Sequence, residues 1–343
     1  MSVTGSLEGG AAILWYALTF AVATLISLRA TPVMRRAALE FGITDRPDGH
    51  LKTHAEPVAY LGGLAVFGSF LVALALTFEF TPDVLGLLLA GAIVVILGLV
   101  DDLARLGPRT KLAGQALAIW VLVKSGVTIK LVFLPVWAQI ALTVIWLLAM
   151  TNAFNLIDIM DGLSTGVAVI AALFLFGVAA AADRTMIATL LAALAGALLG
   201  FLKFNFEPAK IYLGDTGSLF IGLMLGALAM NNSYTRVNSV ASVAPVVILG
   251  IPIFDMLLVM YIRWRRGLPV MTGSPDHFAL RLRHWRLTTR QTVLGSYAAA
   301  TLLGAIGIGL MLLPATGALI VLAAAALAAI GVGFALKRID MSL

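Results

Sequence analysis

Ten stretches of this chain, between 12 and 46 residues long, contain no Asp, Glu, Lys or Arg. A helix that spans a membrane needs about 20 mostly apolar residues, because no water is available there to bond its backbone. The longest stretch is broken near Pro314 and is long enough for two helices. The pattern therefore predicts eleven spans, of which 112–123 is the weakest. The stretches are 9–28, 57–78, 84–100, 112–123, 131–157, 162–182, 185–202, 216–235, 237–254 and 291–336.

The composition supports the same conclusion. Of the 343 residues, 61% are hydrophobic and 12% are charged, whereas a soluble domain is about 45–50% apolar and about 25% charged. A large soluble core does not explain this difference, because it would still need a charged surface. We therefore predict an all-α, polytopic membrane protein. The chain has no cysteine, which excludes disulfides, thiolate metal sites and a cysteine nucleophile.

The basic residues predict the orientation. With eleven spans, 19 of the 23 Lys and Arg residues fall on the side that holds the loops after odd-numbered helices. Cytosolic loops carry such an excess, so this side is predicted to be cytosolic, with the N-terminus outside. Topology and attraction to anionic membrane lipids explain the basic pI of 9.8 without nucleic acid.

Carboxylates and amides gather on the predicted cytosolic side. An aspartate pair ends the third span, a row with i, i+3 spacing joins the fifth and sixth, and one aspartate opens the eighth. A carboxylate near hydrocarbon is costly unless it is paired, hydrated or metal-bound, so these residues are candidates for a functional site. They are Asp101, Asp102, Asn152, Asn155, Asp158, Asp161 and Asp215.

Each group also has a purely structural interpretation. The pair Asp101 and Asp102 would mark the membrane boundary, and the row 152–161 would be a hydrogen-bonded seam between helices. Asp215, which precedes TGS, would be a helix N-cap. These alternatives remain open for each group taken alone. The shared face favours a joint site.

Several carboxylates and an amide around one point suit Mg²⁺, which prefers oxygen ligands and accompanies substrate phosphates. Lys111, Lys52 and the basic residues between 263 and 290 supply positive charge for phosphate oxygens. Phosphoryl transfer requires mainly positioning and charge neutralisation. No GK[ST] follows a glycine-rich stretch, so ATP is not indicated. The alternative function is a membrane transporter or lipid flippase with an acidic site.

Five segments together resemble the polyprenyl-phosphate N-acetylhexosamine-1-phosphate transferases, a family that includes the phospho-N-acetylmuramoyl-pentapeptide translocases. They occur in the family's order and with its spacing over nearly the whole chain. Each motif alone is moderately specific, and the five together are strongly so. The segments are GITDRPDGHLKTHAEPVAYLGG (42–63), GLVDDLARLGPRTKLAGQ (98–115), TNAFNLIDIMDGLSTG (151–166), YLGDTGSLFIG (212–222) and GIPIFDMLLVMYIRWRRG (250–267).

The resemblance implies one domain, 1–343, with ten to eleven transmembrane helices around a cytosol-facing cleft in the inner (plasma) membrane. A polyprenyl phosphate, undecaprenyl phosphate in bacteria, would attack a UDP-linked amino sugar. Polyprenyl-diphospho-sugar and UMP would form, as the first step of cell-envelope polysaccharide synthesis. Mg²⁺ would be required, with Mn²⁺ as a substitute. N-acetylglucosamine is the default sugar, and whether the chain forms a homodimer is left open.

The resemblance also assigns roles to residues in the predicted site. Asp215 corresponds to the main metal ligand and Asn155 to a second one. Asp101 matches a residue proposed to orient or deprotonate the acceptor, with Asp102 beside it, and Lys111 matches a phosphate-contacting lysine. A phosphate monoester with a second pKa of ~6 is already largely dianionic at neutral pH. Acceptor alignment is therefore as good a hypothesis for Asp101 as proton abstraction.

Further positions match the donor-binding part of the family pattern. Asp158 and Asp161 match positions near the nucleotide, with Asp161 at the uracil. Lys52 and His54 match a basic pair in the first cytosolic loop. Asn152, in the same row as Asp158, is a supporting candidate.

The last cytosolic loop departs from the family pattern. The family carries a cluster resembling HxHH followed by Arg, whereas this chain has SPDHFALRLRHW at 274–285. His277 and Arg281 remain as donor-binding candidates, but Ala279 and Leu280 replace the later histidines. This divergence counts against a muramoyl-pentapeptide donor. The structural alternatives are an interfacial histidine without a ligand and an ordinary positive-inside arginine.

Asp255 lies within the apolar ninth span. A carboxylate inside a membrane needs a partner, and Arg263, two helical turns further on, is too distant for direct pairing. Asp255 therefore has either a structural role or a supporting role at the donor site.

Overall fold

The computed structural model describes residues 9–45, 58–78, 82–131, 134–269, 274–339 and 341. Within these ranges the chain is almost entirely helical, which confirms the all-α prediction. The helices are α1 (Gly9–Glu40), α2 (Gly62–Thr77), α3 (Pro82–Ala104), α4 (Pro108–Lys124), α5 (Val136–Leu156), α6 (Leu163–Ala181), α7 (Thr185–Asn205), α8 (Gly214–Met230), α9 (Ala244–Ile248), α10 (Gly250–Arg265), α11 (Phe278–His284), α12 (Thr289–Leu312) and α13 (Ala315–Lys337). A 3₁₀ helix, Ser239–Val243, precedes α9. Two short antiparallel strands, β1 (Thr44–Asp45) and β2 (Val58–Ala59), follow α1.

The chain divides into two compact units, Met1–Asn232 and Ser233–Leu343. Helices α1 to α8 belong to the first unit, and α9 to α13 belong to the second. The assignment of 1–343 to one transferase domain concerns function, and it stays a prediction.

The predicted count of ten to eleven spans is not confirmed. Seven described helices are long and apolar enough to cross a membrane, or eight if a bent pair counts as one span. This pair, 239–248 and 250–265, is bent by 76°. Helices α2 and α8 are apolar but have only 16 and 17 residues. Helix α4 begins with PRTK, whose polar residues shorten its apolar part.

In the first unit, glycines allow α2, α3 and α8 to approach closely at one place. A Cβ atom on Gly63 of α2 would collide with the backbone of Gly217 in α8. On Gly98 of α3, it would lie 2.5 Å from the carbonyl of Asp215. The amides of Gly62 and Gly63 also donate to the carbonyl oxygens of residues 212 and 213, at 3.1 and 2.9 Å. These contacts fix the start of α8, where Asp215 lies.

Gly98→Ala is predicted to destabilise the protein by about 1–3 kcal/mol, because the added methyl group has to push α3 away from the backbone of α8. Gly177→Ala in α6 is the matched control, since a Cβ there meets nothing within 4 Å. Thermal melting of the purified protein in one detergent compares the two variants. Equal melting temperatures would contradict the close α3–α8 approach.

Candidate active site

The link between α3 and α4 brings Asp101 and Lys111 together. Gly107 is extended and Pro108 begins α4, a position where the missing proline N–H costs no hydrogen bond. Asp101 Oδ1 accepts a hydrogen bond from the Leu106 amide at 2.5 Å, which closes the turn. Lys111, in the first turn of α4, then lies with its Nζ 2.8 Å from Asp101 Oδ2.

Asp215 of α8 completes this arrangement from a distant part of the chain. Its Oδ2 lies 2.6 Å from Lys111 Nζ, so one ammonium group bridges two carboxylates. Asn155, in the last turn of α5, donates through Nδ2 to Asp215 Oδ1 at 2.7 Å and to Ser218 Oγ at 2.9 Å. Side-chain exposures are 20% for Lys111, 9% for Asp101 and 29% for Asp215. A solute therefore has access to this group.

Asp102 has a different surrounding from its neighbour Asp101. Its Oδ1 accepts from the Asp215 amide at 2.8 Å. Its Oδ2 accepts from the Thr216 amide at 3.1 Å and from Thr216 Oγ1 at 2.6 Å. The first amides of a helix have no partner within the helix and favour a negative charge. Asp102 thus caps α8 from α3 and holds the backbone of Asp215, so Asp215 is not its own N-cap.

Asp158 and Asp161 lie in the turn after α5, beside the group around Lys111. Burial and the charges of Asp215, Asp102 and Asp161 raise the pKa of Asp158 well above its ordinary value. Burial and the carboxylates of Asp161, Asp45 and Asp158 raise the pKa of Tyr212 to about 12. Asp161 Oδ2 also accepts from the amide of residue 209 at 2.8 Å. The turn therefore lies in a region of negative potential.

Asn152 faces α4, one turn before Asn155. Its Nδ2 donates to Gln115 Oε1 at 2.8 Å and to the Leu148 carbonyl at 2.8 Å, and its Oδ1 accepts from Gln115 Nε2 at 3.3 Å. This part of the predicted row is an interhelical hydrogen-bond seam. The part that contains Asn155 contacts Asp215 instead.

The donor set fits a hard cation. Asp101 and Asp215 each direct one oxygen at the same ammonium, and carboxylate oxygens are the ligands that Mg²⁺ prefers. Asn155 presents its NH₂ group to Asp215, so a role as a cation ligand falls to Oδ1 of the same amide. Over the described ranges, no three His, Cys, Asp or Glu side chains form a preassembled metal cluster.

In the second unit, Asp255 pairs with His277, a partner that was not predicted from the sequence. Its Oδ2 lies 2.6 Å from His277 Nδ1, and its Oδ1 accepts from the Phe278 amide at 2.8 Å. Asp255 and His277 are buried. Asp255 thus anchors the start of α11 to α10, and its supporting role at the donor site stays a prediction.

Arg281 is fully buried in the second unit. Its Nη2 pairs with Asp276 Oδ1, and its Nη1 donates to the carbonyl oxygens of Leu336 and Ile339 at 3.1 and 2.9 Å. Cationic side chains commonly satisfy the last carbonyls of a helix in this way. These contacts explain Arg281 structurally, and donor binding by its guanidinium would require them to break.

Two predicted donor-binding residues, Lys52 and His54, lie outside the described residues. Four residues with clear contacts were missed by the sequence analysis. Gln115 had a usable signal, since it is the one amide in the apolar stretch 112–123. Thr216 and Ser218 contact distant parts of the chain and had no such signal, whereas Asp276 pairs with Arg281 only five residues further on. The four are Gln115, Thr216, Ser218 and Asp276.

Asp102→Asn is predicted to destabilise the protein by about 1 kcal/mol, because an amide offers one acceptor oxygen where the carboxylate offers two. Glu40→Gln, at the exposed end of α1, is the control. It also replaces a carboxylate by an amide, but at a position that does not cap α8. Chemical or thermal unfolding in detergent measures both variants. A D102N protein as stable as E40Q would show that the cap of α8 does not contribute.

Arg281→Met is predicted to cost about 3–5 kcal/mol, because it leaves the buried Asp276 carboxylate without its closest cation. Arg283→Met is the control, since Arg283 is exposed and its guanidinium donates to the hydroxyl of Thr289 rather than to a buried carboxylate. Its change should stay within about 0.5 kcal/mol. An R281M protein that melts like the wild type would contradict the structural role.

Comparison with known proteins agrees with the sequence resemblance. The family model described as Glycosyl transferase family 4 matches residues 84–233, the range that contains the site around Lys111. A Bacillus subtilis protein named probable undecaprenyl-phosphate N-acetylglucosaminyl 1-phosphate transferase is 32% identical, covering 82% of this chain and 80% of its own. A Mycobacterium tuberculosis decaprenyl-phosphate N-acetylglucosaminephosphotransferase is 33% identical, with coverages of 82% and 79%.

A phospho-N-acetylmuramoyl-pentapeptide-transferase from Halalkalibacterium halodurans is 32% identical over 78% of this chain and 88% of its own. The similarity to these proteins extends well beyond the range of the family model, and it includes the helices that carry Asp101, Asn155 and Asp215. The chain belongs to glycosyl transferase family 4.

Proposed function

We propose that this protein transfers an N-acetylhexosamine 1-phosphate from a UDP-sugar to a polyprenyl phosphate and releases UMP. One observation carries the proposal: Lys111 lies between Asp101 and Asp215 in a partly exposed position among apolar helices. Such a group suits a diphosphate and its counter-ion. The names of the relatives supply the acceptor class, undecaprenyl or decaprenyl phosphate, and the N-acetylglucosamine phosphate group.

Mg²⁺ is the cofactor that we propose, with Mn²⁺ as a substitute. Asp215, with Asn155 through its Oδ1, would hold the ion. When bound, it would supply positive charge that neutralises the donor diphosphate. The carboxylates of Asp215, Asp101 and Asp102, which lie together at the start of α8, support this choice, because carboxylate oxygens are the ligands that Mg²⁺ prefers.

The protein's own groups would position the reactants. An oxygen of the acceptor phosphate forms a bond to the β-phosphorus of the donor, and the bond from that phosphorus to the bridging oxygen breaks, so UMP leaves with that oxygen. The dianionic acceptor has no proton to lose. Asp101 therefore aligns rather than deprotonates. Lys111 offers three N–H donors to phosphate oxygens, and Asp102 keeps the start of α8 in place.

The donor sugar is proposed to be N-acetylglucosamine. The relatives named for this sugar support it, and the loop 274–285 departs from the histidine-rich pattern expected for a muramoyl-pentapeptide donor. Asp158 and Asp161 remain the candidates for nucleotide contacts, with Lys52 for a further donor contact. The basic residues that surround the site in the sequence support a location on the cytosolic face of the plasma membrane.

A transporter or flippase is the second candidate, and one observation favours it. The pair of helices over 239–265 is bent by 76°, and transporters use such broken helices at their binding sites. Within that pair, however, Asp255 is buried and bonded to His277. Membership of glycosyl transferase family 4 favours the transferase.

Release of UMP by the purified protein, supplied with undecaprenyl phosphate and a panel of UDP-sugars, tests the proposal. We expect Mg²⁺-dependent release of UMP with UDP-N-acetylglucosamine. Asp215→Asn should lower the rate of UMP release by at least about 100-fold, because it removes a carboxylate next to the charged diphosphate. Asp101→Asn should retain measurable turnover if Asp101 only aligns the acceptor. Glu40→Gln serves as the control.

Substrate uptake into proteoliposomes without UMP release would contradict the transferase and favour the transporter. An Asp215→Asn protein with normal turnover would contradict the site, even if the reaction class is correct. A complete loss of turnover in Asp101→Asn, with unchanged melting, would return Asp101 to the role of a general base.

A further inference from the structure

Two polar pairs, one helical turn apart, lie along the contact between α4 and α5. In the upper pair, Lys111 and Asn155 both bond to Asp215, at 2.6 and 2.7 Å. In the lower pair, Gln115 and Asn152 bond to each other. Residues three or four apart share one face of a helix, so each helix contributes one member to each pair. The two pairs thus lie on the same faces of α4 and α5, one turn apart.

Helix α4 packs against both α3 and α5. Only four of its residues are buried: Gln115, Ala118, Ile119 and Leu122. Gln115 is 1% exposed, and among the described residues its side chain bonds to Asn152. Two side-chain amides that satisfy each other in an apolar setting hold their geometry strictly, because a buried amide without a partner is costly.

We propose that Gln115 and Asn152 are positioning residues that set Lys111 of α4 in register with Asp215. The inference rests on the proposed function, since it assigns these two amides to the alignment of the phosphate-contacting lysine. Asn152 is further fixed through its bond to the Leu148 carbonyl, so α5 is the reference and α4 is the helix that it aligns. Neither amide is assigned a contact with substrate.

The test separates positioning from stability with apolar and swapped variants. N152L leaves the buried Gln115 amide without this partner, and Q115M leaves Asn152 with only its bond to the Leu148 carbonyl. Each should lower kcat by about 10- to 100-fold and lower the melting temperature. The double variant Q115M/N152L removes both amides and should recover the melting temperature but not kcat. The swap Q115N/N152Q, which keeps the combined reach of the two side chains, should recover at least part of kcat.

A double-mutant cycle with Lys111 tests whether Gln115 acts through this lysine. Q115M should lower kcat by less than about twofold in a K111M background, because the aligned group is already absent. Gln139→Met is the matched control: Gln139 also bonds to two carbonyl oxygens, but it lies 13 residues from Asn152 on α5, about 20 Å along the helix. Its kcat should equal that of the wild type.

Recovery of both stability and kcat in Q115M/N152L would overturn the proposal and leave only a structural pair. Equal losses from Q115M with and without Lys111 would overturn it as well. A wild-type protein that releases no UMP from any donor overturns the proposed function, and the positioning role with it. That failure is distinct, because it is seen before any variant is made.

Discussion

The contact of one ammonium group with two carboxylates organises the candidate site. Lys111 lies 2.8 Å from Asp101 and 2.6 Å from Asp215, residues that are more than a hundred positions apart in the chain. A carboxylate at the edge of an apolar bundle is costly without a partner. The shared lysine offsets this cost for both carboxylates, and it closes the α3–α4 hairpin against the start of α8.

The groups around this contact are held mainly by other helices. Asp102 of α3 binds the first amides of α8, and Asn155 of α5 reaches Asp215 and Ser218. Fixed dipoles and charges of this kind do not have to reorganise when a charged substrate arrives, which is how proteins stabilise charge that develops during a reaction. The close approach of α3 and α8 at Gly98 makes this rigidity a property of the backbone as well.

Much of the fold could be predicted from the sequence, because membrane-spanning helices are recognisable as long stretches without charged residues. Each charge-free stretch coincides with one or two helices or with the bent pair, but the predicted number of spans is not confirmed, because α2, α4 and α8 are short or polar at one end. The convergence on Asp215 was also predictable from motifs. The partners of Asn152 and Asp255 could not be predicted from the sequence. Gln115 and His277 lie in other elements of the fold, and only tertiary packing brings each pair together.

The central claim is that Asp215 and Asn155 form a site for a divalent cation beside Lys111. Titration of the purified protein with Mn²⁺, followed by electron paramagnetic resonance in the presence of UDP-N-acetylglucosamine, tests it most directly. The account predicts one Mn²⁺ bound per chain in the wild type and in Glu40→Gln, and a loss of this binding in Asp215→Asn. Unchanged Mn²⁺ binding in a folded Asp215→Asn protein would contradict it.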